Sequence, residues 1–212
     1  MHYVEDKRYN RILDVVLKRQ LDLTVVLENV HDPHNIGAVM RTCDSVGVGE
    51  IYLIITDTDI GEENIVAGKN SSSGSRKWIK IHQFSEVETA IKHIRKKYQF
   101  LYGTHLSEDS ESLFEMNLSD SVALVFGNER RGISNELQQC LDGNFLIPDY
   151  GFVQSLNISV ACAVSLHEAS RQRQLKGKYK NLLTSRRKVI LDEYLKISRP
   201  MYDQKLIKNR LS

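Results

Sequence analysis

The sequence predicts an α/β fold: a parallel sheet covered by helices. Two observations carry this. Short strand-like runs recur at Leu23–Leu27, Ile51–Ile55, Ile79–Gln83, Phe100–Gly103, Val122–Phe126 and Phe145–Ile147. Between or after them lie helical patterns at Ile36–Val46, Ser85–Tyr98, Ser134–Leu141 and Asn157–Gln172. Continuous apolar strands that alternate with helices are strands buried on both sides.

Each element follows from its local pattern. Tyr3–Arg19 puts Tyr9, Ile12, Leu13, Val16 and Leu17 on one side of an amphipathic helix. The first strand ends at Glu28-Asn29, and a loop containing Pro33 follows. Asn35 reads as the N-cap of a helix starting at Ile36. Ile36, Val39, Met40, Cys43 and Val46 then fall at helical spacing. Arg41, about 100° around the helix from Met40, lies beside that stripe rather than on it. Ser159, Ala161, Ala163 and Ser165 make Asn157–Gln172 a helix suited to close packing. Arg187–Ile197 reads as a last helix stopped before Pro200. The core is expected over residues 23–173, between an N-terminal helical extension (1–22) and a basic C-terminal helical extension (174–212).

Composition narrows the class. The chain has 212 residues, 41% hydrophobic and 26% charged, as soluble globular proteins do. No apolar run approaches the ~18 residues a membrane span requires. The N-terminus MHYVEDKRYN lacks the apolar core of a signal peptide. Three widely spaced cysteines without a C-x-x-C pair argue against a disulfide framework and a zinc site; no metal is expected, and a reducing cytoplasm fits. The net charge of +2 conceals a one-sided stretch. Between Ala169 and Leu191 stand Arg171, Arg173, Lys176, Lys178, Lys180, Arg186, Arg187 and Lys188, with no Asp or Glu. Such a stretch can meet a polyanion, although a solvated tail has the same composition.

Open α/β sheets bind ligands at the carboxyl ends of their strands. That makes Val30–Asn35, Gly127–Gly132 and Pro148–Gln154 the candidate loops. No G-x-G-x-x-G follows the first strand and no G-x-x-x-x-G-K-[ST] occurs, which disfavours a dinucleotide fold and a P-loop. Taken singly, Asn35, Ser155 and Asn157 are helix caps, Arg41 a surface arginine and Gly127–Gly132 a polar turn.

Taken together and in order, these stretches resemble the three motifs of the SPOUT methyltransferases, in particular the TrmH branch of RNA 2′-O-methyltransferases. The first is Asn35, five residues, then Arg41. The second is an apolar strand followed by Gly127, Glu129, Gly132 and Ser134. The third is Ile147-Pro148, then Ser155, Leu156, Asn157 and Ser159 before a small-residue helix. The match covers Leu23–Arg173.

The resemblance implies a C-terminal trefoil knot in the sheet, a rare exception to unthreaded chains. It implies S-adenosyl-L-methionine bound in a bent form by backbone groups of the knot loops, with Thr104, Gly127, Ile147 and Leu156 as contacts by position. It implies an obligate homodimer whose active site borrows residues across the interface, with the Asn157–Gln172 helix packing there. Arg41 is assigned to activation of the 2′-hydroxyl. A guanidinium with a pKa above ~12 is a very poor base. Its expected role is therefore to bind the neighbouring phosphate and polarise the incipient alkoxide. Asn35 would orient Arg41 or the ribose, and Glu129 would fix the Arg41 side or its partner loop. Ser155 and Asn157 would shape the third motif and hold the phosphate or cofactor end. The short layout resembles members that methylate guanosine 18 in the tRNA D-loop. Arg8, Arg11, Arg19, Arg171 and Arg173 would then contact the tRNA backbone, making binding salt-dependent. Three alternatives stay open: the same chemistry on rRNA or another tRNA position, a non-catalytic RNA-binding dimer, and a small-molecule methyltransferase.

Overall fold

The computed structural model describes residues 2–57, 74–105, 107, 109–179 and 181–210, with 2–6 and 199–210 by backbone alone. The chain divides into two compact units, Gln20–Lys178 and a second that joins Met1–Arg19 to Tyr179–Ser212.

The first unit is built on a seven-stranded sheet. Its strands are β1 (Leu23–Glu28), β2 (Glu50–Ile54), β3 (Lys80–Phe84), β4 (Phe100–Thr104), β5 (Glu111–Ser112), β6 (Val122–Phe126) and β7 (Gly143–Leu146). The order is β3-β2-β1-β6-β4-β7-β5, and every pairing is parallel. The central strands β1 and β6 are buried along their whole length, as the predominantly apolar strands of a parallel sheet are.

Alternate residues of these strands feed two cores. On one face Leu23, Val25 and Leu27 pack with Ile36, Val39, Met40 and Cys43 of helix α2 (Pro33–Val46). Ile158, Cys162, Leu166 and Ala169 of helix α5 (Ile158–Leu175) join them. On the other face Val26, Leu101, Ala123 and Val125 pack with Val87, Ala90 and Ile94 of α3 (Val87–Ile94) and Leu137 of α4 (Asn135–Gln138). Burying each of the Val, Leu, Ile and Met side chains contributes about 1.5–3 kcal/mol.

The element boundaries depart from the sequence reading where capping chemistry intervenes. Helix α2 starts at Pro33, not Ile36. Asp32 is its N-cap and accepts from His34 N at 2.8 Å, and Pro33 takes the first turn, where a missing N–H costs nothing. Asn35 is therefore inside the helix and its side chain is released from capping. Helix α4 is a single turn capped by Ser134, which accepts from Leu137 N. The two-residue β5 is polar and carries no periodic signal.

At the amino end of β2, Glu50 gathers Tyr98 Oη at 2.7 Å, His82 Nε2 at 2.9 Å and Lys97 Nζ at 2.9 Å. Burial works against the Glu50 carboxylate, but these donors outweigh it and hold its pKa well below the usual range. Burial and the facing Glu50 charge together push the Tyr98 phenol far up.

The second unit packs helix α1 (His2–Lys18) with helix α6 (Ser185–Arg210). Helix α6 continues through Pro200 rather than ending before it, as helices that tolerate a lost backbone bond can. Arg187 donates to Leu182 O at 2.9 Å and Arg19 O at 3.2 Å, and Arg8 donates to Ser198 O at 2.6 Å.

Candidate active site

Parallel strand order puts the expected loops on one edge. Thr104 ends β4, Gly127 follows β6, and Ile147 follows β7. These three strands are neighbours, in register through Gly103–Val125 and Thr104–Phe145. The loop after β1 leads into α2 and Asn35. The loop Ile147–Asn157 leads into α5.

One hydrogen-bonded relay joins the three motifs. Asn157 is the N-cap of α5, and its Oδ1 accepts from Ser159 N at 2.9 Å and Ser159 Oγ at 2.6 Å. Its amide nitrogen must then point away from the helix, and Nδ2 donates to Asn35 Oδ1 at 3.2 Å. Asn35 Nδ2 in turn donates to Glu129 Oε1 at 2.8 Å. Each amide orientation is dictated by the one before it, beginning from a backbone N–H that can only donate. Asn35 is 9% exposed, whereas Glu129 is exposed. The relay thus passes through a buried carboxamide, with its Asn157 and Glu129 ends both exposed.

The Glu129 loop is tightly built. Asn128 and Gly132 exchange backbone hydrogen bonds at 2.9 and 2.8 Å. Asn128 Oδ1 accepts from Arg130 N and Arg131 N, and its Nδ2 donates to Asn29 O at 2.8 Å. A side chain at Gly127 would collide with the backbone of Gly132 and Ile133. Glu28, at the end of β1, is 1% exposed and accepts from Ser134 N at 2.7 Å and Ser134 Oγ at 2.5 Å. Sequence reading treated Glu28 only as the end of a strand. An acid closing an otherwise apolar run was the available signal.

Arg41 is exposed on α2, about 9 Å along the axis from Asn35. Both ends of the Asn35 carboxamide are engaged by Glu129 and Asn157, so the relay positions the loops. Ser155 is exposed and Leu156 half-buried beside the α5 cap. Among the described residues, no hydrogen bond within the chain takes a backbone group of residues 147–156. These unclaimed groups, with Thr104 and Gly127 at the adjoining strand ends, suit a ligand held by main-chain contacts. Among the described residues no group of His, Cys, Asp and Glu could hold a metal ion. Among the described residues no helix is long and apolar enough to cross a membrane.

Two of the arginines expected to meet RNA are corrected by their burial. Arg173 is 0% exposed; it donates to Leu118 O, Gln20 Oε1, Asp22 Oδ1, Asp22 O and Asp120 O. Arg19 is 1% exposed, its guanidinium 5.4 Å from the Tyr194 ring centroid. Neither reaches a phosphate from these positions. Arg11 and Arg171 are exposed, Arg171 paired with Glu168 at 2.8 Å, and Arg8 is half-buried. Lys180 lies outside the described residues.

A parallel α/β sheet of this kind has known counterparts. Residues 22–167 match the SpoU rRNA Methylase family, and the chain belongs to that family. It is similar to the tRNA (guanosine(18)-2′-O)-methyltransferase of Thermus thermophilus, 40% identical over 82% of this chain and 87% of that protein. The protein of the same name from Aquifex aeolicus is 35% identical over 99% of this chain and 95% of its own length. The crystal structure of the A. aeolicus TrmH/SpoU tRNA modifying enzyme superposes with a TM-score of 0.78 at 34% identity, covering 90% of this chain and 96% of that one. The SpoU methyltransferase AviRb from Streptomyces viridochromogenes, solved in complex with the cofactor AdoMet, gives a TM-score of 0.64 at 26% identity over 74% of this chain and 59% of that one.

Proposed function

We propose that this protein transfers a methyl group from S-adenosylmethionine to the 2′-hydroxyl of guanosine 18 in tRNA. The observation that carries it is the Asn157–Asn35–Glu129 relay, which joins the three motif loops of an RNA methylase family member. Relatives named for that reaction on guanosine 18 match along most of the chain.

The cofactor supplies a sulfonium methyl; the ribose oxygen forms the new bond to it as the S–CH₃ bond breaks, and the hydroxyl proton leaves to solvent. The chain's part is alignment and charge. Thr104, Gly127, Ile147 and Leu156 hold the cofactor through the strand ends and the third loop. Arg41 binds the neighbouring phosphate and stabilises the developing alkoxide. Asn35, Glu129 and Asn157 keep the loops in register, and Ser155 holds the phosphate or cofactor end. Arg8, Arg11 and Arg171 supply backbone contacts to tRNA. The catalytic work is assigned to residues 23–173, threaded as a C-terminal trefoil knot, with the terminal extensions outside it. Tyr150, Phe152, Val153 and Val160 are exposed on the third loop and the start of α5. That apolar surface supports pairing with a second copy and an active site shared between the two. Three widely spaced cysteines without a C-x-x-C pair, Cys43, Cys140 and Cys162, support placing the protein in a reducing cytoplasm.

The test is incubation with labelled S-adenosylmethionine and tRNA lacking ribose methylation, followed by mapping of the label. Label on the 2′-oxygen of guanosine 18 is the expected result. Label on another nucleotide or on rRNA removes the substrate assignment, and no label on either RNA removes the reaction.

A further inference from the structure

The Glu129 loop hangs from the end of β1 at both of its ends. At its entry Asn128 Nδ2 donates to Asn29 O at 2.8 Å, and at its exit Ser134 donates twice to Glu28. Asn29 itself sits at φ 49, its Oδ1 accepting from Thr56 N and Asp57 N, so the anchor is tied to the segment after β2 as well. Between the two attachments stands Glu129, the carboxylate end of the relay.

The Glu28 attachment is chemically particular. Ser134 Oγ accepts from Leu137 N as the cap of α4, so its own proton is directed at Glu28 Oε1. Ser134 N donates to the other carboxylate oxygen. Two donors meet two acceptor oxygens, and only a carboxylate satisfies both; an amide would turn an NH₂ toward one of them. Carboxylates are costly to bury, and an apolar residue would close β1 with less penalty. What the carboxylate adds is direction: it sets the height and rotation of the loop over the sheet edge.

We propose that Glu28 is a positioning residue for methyl transfer, acting through Ser134 to aim the Gly127–Ser134 loop so that Glu129 meets Asn35. This rests on the methyltransferase reading above. Glu28 touches neither cofactor nor RNA in it.

The test uses the full-length protein with Glu28→Gln, Ser134→Ala, Glu129→Gln and the double variant Glu28→Gln/Glu129→Gln. Glu28→Gln lowers kcat about 10- to 100-fold, the scale of losing about an ångström of alignment, with KM for tRNA within about twofold of wild type. Ser134→Ala reproduces that loss from the other side of the contact. In the double variant the two losses do not multiply, because both act through one loop. A merely structural role would multiply them. Wild-type kcat in Glu28→Gln, or multiplied losses, overturns the proposal. Should Glu28→Gln not fold, Ser134→Ala decides by the same kcat criterion, alone and combined with Glu129→Gln. Amide hydrogen exchange separates this idea from the function itself. Residues 128–134 exchange faster in Glu28→Gln and Ser134→Ala, whatever the substrate. Unchanged exchange there sinks the positioning role, whereas an inactive wild type sinks only the methyltransferase reading.

Discussion

Asn35 has one workable orientation, because Asn157 caps α5 on one side of it and Glu129 waits on the other. That makes charge at this position informative. Asn35→Asp keeps the acceptor for Asn157 but sets a carboxylate against the Glu129 carboxylate. Two carboxylates at hydrogen-bond distance repel, which favours a proton shared between them. Transfer is expected to fall about a hundredfold at neutral pH through lost alignment, with part of it recovered as the pH is lowered and a shared proton restores the bridge. A flat pH profile relative to wild type would remove the relay from the mechanism. Arg41→Ala is expected to cost at least about a hundredfold in transfer, as loss of an oxyanion donor does, with cofactor affinity and melting temperature kept. Both residues were legible in the sequence from their spacing. Glu28 was not, since one acid at a strand end has no pattern until Ser134 is folded against it.

Helix α2 shows why local capping rules mislead in a three-dimensional site. Asn35 is a good N-cap by type, but Asp32 followed by Pro33 caps better and moves the start one turn earlier. The displaced carboxamide is then free to bridge loops. At the β6 exit, Gly127 is required because the returning chain at Gly132 and Ile133 occupies the place of a Cβ. Gly127→Ala is expected to destabilise by about 1–3 kcal/mol and to reduce transfer, read by urea titration and label incorporation. At the opposite edge, β2, β3 and the segment after α3 meet at Glu50. Its pKa is lowered from 4.5 by His82, Tyr98 and Lys97. The stabilisation is therefore complete above pH 4.5 and is lost as the pH falls toward the lower, folded-state value. Glu50→Gln is expected to cost about 2 kcal/mol near neutrality, and the gap to wild type should close in acid. A gap independent of pH would show that the carboxylate charge contributes nothing there.

Across the molecule, basic residues divide between inside and outside in a way no charge count reveals. Arg173, in the acid-free stretch, is wholly buried and ties α5 to the entries of β1 and β6; Arg171, two positions earlier, is exposed. Arg173→Ala is expected to lose about 3 kcal/mol of stability by unpairing a buried charge network, and Lys does not restore it, because the fork geometry is lost. Arg11→Ala should leave melting unchanged, and Arg11→Ala and Arg171→Ala should reduce the slope of log tRNA affinity against log salt by about one each. An unaltered slope would place the RNA elsewhere.

The linear chain already contained the parallel sheet, the two-faced core and the three motif loops, because β-branched runs, helical periodicity and residue spacing are local quantities that survive without contacts. Which polar side chains serve the site and which serve the fold was beyond it. Arg171 and Arg173 have the same chemistry and differ only in what folds around them, and Glu28 finds Ser134 across 106 positions of sequence. Burial and long-range hydrogen bonding are properties of the packed molecule, since each depends on partners that the chain meets only after the sheet has formed.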